Sequence, residues 1–83
     1  MKKNTDIIIE QLLNNGNFLA TTILIIKMMH DYEELNEYLG FYVRILDALK
    51  NNEKVDEIEK EHFLALHFSA VETYNTVFGS KAE

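Results

Sequence analysis

The chain has 83 residues, no cysteine and no proline, and 14 acidic against 8 basic side chains for a formal charge of −6. Without cysteine there is neither a disulfide framework nor a thiolate metal site. Helix packing or oligomerisation must therefore stabilise a core that, at this length, buries only about 60 to 65% of the unfolded surface. The acidic balance argues against direct binding to nucleic acid, whose phosphates reward clustered cations. A 47% hydrophobic and 11% aromatic share is too rich for a disordered chain.

The start Met1-Lys2-Lys3-Asn4 is basic, but Glu10 and Gln11 interrupt the apolar run that follows, so no signal-peptide core is expected. Thr5 is the expected N-cap of a first helix from Asp6 to Asn14, its hydroxyl accepting an orphan backbone N–H. Asn14-Asn15-Gly16 should end that helix, with Gly16 in the left-handed position and Asn17 capping the next. The second segment, Phe18 to His30, is rich in β-branched residues and lacks a clean amphipathic period. A helix is preferred to a buried strand, because a lone strand would have no ladder partner. Its most apolar part, Phe18 to Met29, is about 12 residues long against the roughly 20 that span a bilayer, so no membrane insertion is expected. A cytoplasmic location follows as the simplest expectation.

Asp31 and Glu34 have capping-box spacing ahead of the clearest periodic signal in the chain. Leu35, Tyr38, Leu39, Tyr42, Ile45, Leu46 and Leu49 form one stripe of a third helix, Tyr32 to Lys50, with Gly40 on its polar side and no break there. Asn51-Asn52 makes a turn, and Asp56 with Glu59 repeats the cap pattern before a fourth helix that reaches Phe78 and stops at Gly79. Phe63, Leu66, Ala70, Val71, Tyr74, Val77 and Phe78 are its expected inner face. The fold class is therefore all-α, one domain over 1–83, a compact bundle or array of about four helices leaning antiparallel, with 1–4 and 79–83 frayed.

Candidate chemistry is sparse. Glu59-Lys60-Glu61-His62 holds one E-x-x-H unit, whereas a carboxylate-bridged metal site needs a second copy and inward-facing glutamates. No metal and no cofactor are expected. His62 reads as a solvated first-turn residue. His67 falls on the apolar face and should be a core histidine paired with a tyrosine or a backbone carbonyl. Ser69 and Ser80 lack a nucleophile-elbow context and no glycine-rich phosphate loop exists, so the chain is not expected to be an enzyme.

What remains is binding. Met28 and Met29 are either core filling or an adaptable contact surface, and the second helix is apolar on so many sides that part of it should face another chain. Phe68 projects from the polar side of the last helix and Phe41 from the border of the third-helix stripe, where an exposed aromatic can anchor an interface. Acidic residues cluster at Asp31 to Glu37 and at Glu53 to Glu61. Solvated helix faces explain most of this, and an electronegative patch for a basic partner is the functional alternative.

The lysine- and asparagine-rich start Met1 to Asp6, the asparagine-rich turns at 14–17 and 51–52, and the proline-free helical body resemble the small regulators of T-even-type bacteriophages. Among these are the cytoplasmic lysis-inhibition antiholins and the small anti-sigma factors. The resemblance implies a phage-encoded protein that acts in the host cytoplasm by occupying a host or phage protein, for example the cytoplasmic part of a holin. Anti-CRISPR inhibitors share the same size and acidity. The resulting expectation is a non-enzymatic regulator or inhibitor that binds its target through helix faces, as a homodimer or with the same apolar surface turned to the target. Phe68, Phe41, Met28 and Met29 are its candidate contacts. A structural or self-assembling subunit is the alternative.

Overall fold

The computed structural model describes residues 3–78, which are all-helical with no strand among them. Five helices follow in order: α1 (Asn4–Leu13), α2 (Phe18–Asp31), α3 (Glu33–Asn36), α4 (Leu39–Lys50) and α5 (Glu57–Val77). The helix stop expected at Gly79 and the fraying of the last residues lie outside the described residues, as do Met1 and Lys2. Asn4, expected to fray, already belongs to α1.

The 21-residue α5 is the spine. At its start, Lys60 Nζ donates to Asp6 Oδ1 at 2.7 Å and the Thr5 hydroxyl donates to the Glu57 carboxylate, which seats α1 along the first turns of α5. Further on, Phe18 meets His67 with ring centroids 5.4 Å apart, and α2 continues beside the second half of α5. Helices α1 and α2 thus lie one after the other, both parallel to α5. Only α4 runs against it, with Tyr42 beside His67 and Arg44 Nη2 donating to Glu59 at 3.0 Å. The body measures 43 × 27 × 18 Å and is the compact all-α array of helices expected, but with α1 and α2 parallel to α5 instead of antiparallel.

The turn between α1 and α2 explains the difference. The Asn17 N–H donates to Asn15 Oδ1 at 2.8 Å and the Phe18 N–H to the Asn15 carbonyl at 3.0 Å, so a short asparagine turn carries the chain onward without reversing it. Gly16 does not take the left-handed conformation expected of it; Asn52, in the turn after α4, does, with φ 61°. Asparagine tolerates that region better than other side chains.

The single helix expected from Tyr32 to Lys50 is broken. Tyr32 is extended (φ −102°, ψ 115°), α3 is one short turn, and the Tyr38 N–H bonds three residues back to the Leu35 carbonyl. That corner turns the chain from α2 into α4 and rotates Tyr38 out of the stripe into solvent. Gly40 sits within α4, past the break. The expected caps also differ. Thr5 lies inside α1, Asp31 ends α2, and neither Asn17 nor Asp56 makes a side-chain cap bond. Tertiary contacts claim Thr5, which binds Glu57, and Glu59, the expected capping partner of Asp56, which binds Arg44.

The core gathers Ile25, Met29, Tyr42, Ile45, Phe63 and Leu64 from α2, α4 and α5. Thr22 is buried with them and donates to the Leu19 carbonyl at 2.8 Å. Val77 and Phe78, expected to face inward, are exposed because α5 outruns α4. Among the described residues no helix is long and apolar enough to cross a membrane.

Candidate functional site

His67 is the point where three helices meet. Its ring is buried between Phe18 of α2, Tyr42 of α4 and Phe63 of α5, and Phe68 stands edge-on to it with centroids 5.4 Å apart. Tyr42 Oη lies 2.8 Å from His67 Nδ1. Burial pushes the imidazole below its usual range and the phenol above its own. Both groups are therefore neutral near pH 7, and the phenol and the imidazole share one hydrogen bond. No buried side-chain nitrogen or oxygen among the described residues lacks a partner. This is the core histidine paired with a tyrosine that the helical pattern implied.

On the solvent side of this cluster a groove opens between α2 and α5. It is a run of three depressions of about 180, 280 and 260 Å³; the first two share Thr21 and Val71, the second two Leu24 and Tyr74. Phe68 stands at one end and Tyr32 and Phe78 at the other. Phe68 is 48% exposed and Leu24 44%, so the apolar walls are open to solvent. Beyond Leu24 the apolar surface continues over the outer face of α2, where Ile23 is 65% exposed beside Leu19. The parallel course of α2 and α5 creates this groove, because α4 packs against their other side.

The four residues singled out from sequence do not form one site. Phe68 is on the groove. Phe41 is half-buried in a separate depression with Tyr38, His62 and Leu66, which shares no residue with the groove, and the Arg44 guanidinium sits 5.6 Å from its ring centroid. Met29 has no exposed surface, and Met28 is buried at the floor of the Tyr32 end. As folded, neither methionine is a surface anchor; both fill the core.

The chain matches no family model, no curated protein and no solved structure. Its chemistry is read from the surface itself. Among the described residues no three His, Asp or Glu side chains converge as a metal site. His62 is exposed, and Glu59 of its E-x-x-H unit is engaged by Arg44.

Sequence reasoning placed Phe68 on the surface, where the structure has it, but did not group it with Leu24, Tyr32, Tyr74 and Phe78 along one groove. The signal for Leu24 was present: α2 buries Phe18, Thr22, Ile25 and Met29 at helical spacing, leaving Leu19, Ile23 and Leu24 on the other side. Nothing local marks Tyr32 and Phe78 as neighbours, since their proximity depends on α2 and α5 ending at the same level.

Proposed function

We propose that the chain is a non-enzymatic regulator or inhibitor that binds a target protein, and that the α2–α5 groove is its binding surface. The observation that supports this is the line of open apolar side chains, Phe68, Leu24, Phe78 and Tyr32, set along one groove rather than scattered over the surface. A contiguous exposed apolar strip marks an interaction site in a small protein. In the bacteriophage setting implied by the resemblance, the target is a holin's cytoplasmic part or a sigma factor, and binding alone blocks it. A second reading, self-assembly, draws on Leu19 and Ile23, which extend the strip onto the outer face of α2.

Capture with the tagged chain from its source cells, followed by binding measurements on the purified partner, tests the proposal. One stoichiometric partner should be recovered. Leu24→Glu should weaken it at least tenfold with helical circular dichroism intact, while Ile58→Glu, at an exposed site outside the groove, should not. A partner held equally by both variants would contradict the groove reading. Recovery of the chain alone as a defined oligomer would favour self-assembly.

A further inference from the structure

His67 lines the depression at the Phe68 end of the groove, although only 3% of its surface is exposed. Its ring carries two nitrogens with different surroundings. Nδ1 faces the Tyr42 hydroxyl at 2.8 Å, whereas Nε2 makes no hydrogen bond to any described residue. Among the described residues no sealed side-chain nitrogen or oxygen lacks a partner, so Nε2 keeps a narrow opening to solvent, and the depression supplies it. A polar atom so nearly buried and still unpaired is an open hydrogen-bonding position inside an apolar recess.

The recess limits what can enter. Its volume of about 180 Å³ is close to the roughly 150 Å³ that accommodates one benzene ring. Leu12, Phe18, Phe68 and Val71 supply its apolar lining, and no charged side chain joins them. Phe18 and Phe68 stand tilted and edge-on to the imidazole, each with centroids 5.4 Å from it, and a further aromatic ring extends that arrangement favourably. A neutral imidazole donates from Nε2 in one tautomer and accepts there in the other, and a hydroxyl answers both. An uncharged ring that carries a hydroxyl is a phenol.

We propose that the Phe68 end of the groove is a pocket for one tyrosine side chain of the target protein, its ring against Phe18 and Phe68 and its hydroxyl hydrogen-bonded to His67 Nε2. This rests on the reading of the groove as the binding surface and names the partner's group at one end of it. Tyrosine suits such a place because it brings apolar area at one end and a hydrogen-bonding tip at the other. Phenylalanine would cover Nε2 without pairing it, and an unpaired buried polar atom costs affinity. A carboxylate or an ammonium would lose its hydration with no opposite charge in the lining to replace it.

The test titrates the full chain, with its histidine ring nitrogens isotope-labelled, with N-acetyltyrosinamide, N-acetylphenylalaninamide and p-cresol. The tyrosine amide should bind at least about threefold more tightly than the phenylalanine amide and should move the His67 Nε2 signal more than the Nδ1 signal. Phe68→Ala, at a half-exposed position whose loss leaves the core intact, should weaken both amides at least about threefold. His67→Phe should erase the preference for the hydroxyl. Equal affinity for the two amides with Nε2 unmoved would overturn the tyrosine assignment and leave the groove reading standing. Binding of neither amide would overturn it as well, while the effect of Leu24→Glu on the captured partner decides the groove reading separately. p-Cresol bound with the tyrosine amide excluded would make the occupant a free phenol. Dimerisation of the chain lost in Tyr32→Phe or Tyr38→Phe would put a second copy's tyrosine there in place of the target's.

Discussion

His67 and Tyr42 are hydrogen-bonded across 25 positions of sequence and both are buried. Removing the phenol oxygen leaves His67 Nδ1 without its hydrogen-bond partner in an apolar setting. Tyr42→Phe should therefore cost about 1–3 kcal/mol in urea unfolding, and the double variant with His67→Leu should cost less than the two single changes summed. The same burial sets a pH dependence. An imidazole whose folded pKa lies below its ordinary 6.5 takes up its proton in the unfolded chain first. Its contribution is intact above that pH and is lost as pH falls from 6.5 through the lower folded value. The urea midpoint should drop between pH 7.5 and 5.5, and by less in the His67→Leu variant. The burial of His67 was legible from its place in the apolar pattern of α5. Its choice of Tyr42 was not, because that depends on how α4 is set against α5.

At the scale of elements, the positions of α1, α2 and α5 follow closely from apolar runs and breakers, because burial of an apolar face dominates local preference. The caps did not follow, because Thr5 and Glu59 find partners on other helices. The break before α4 was missed for a related reason. The stripe from Leu35 to Leu49 satisfies helical spacing throughout, yet the chain must turn between α2 and α4, and it does so through the extended Tyr32, the short α3 and the Glu37-Tyr38 link, which leaves Tyr38 exposed. Gly40 does not make this turn. It lies in α4 with negative φ and open space where a Cβ would stand. Gly40→Ala should raise stability by about 0.5–1 kcal/mol in thermal or urea unfolding. A loss of stability would show that the corner needs glycine there.

For the whole molecule, the parallel placement of α2 beside α5 is what leaves an apolar groove uncovered, and no local pattern announces it. The asparagine turn that carries α1 into α2 could equally precede a reversal as far as composition goes. Sequence alone therefore pointed to an apolar second helix and an exposed Phe68 but could not join them to Phe78 and Tyr32. It also grouped Phe41 with Phe68, although the two lie in separate depressions. The groove and the Phe41 depression make rival surfaces, and chemical-shift mapping separates them most directly. Titration of the isotope-labelled chain with its purified partner should move or broaden the signals of Leu24, Val71, Tyr74 and Phe78, with Tyr38, Phe41 and Leu66 unchanged. Shifts confined to Tyr38, Phe41 and Leu66 would contradict the α2–α5 groove as the binding surface.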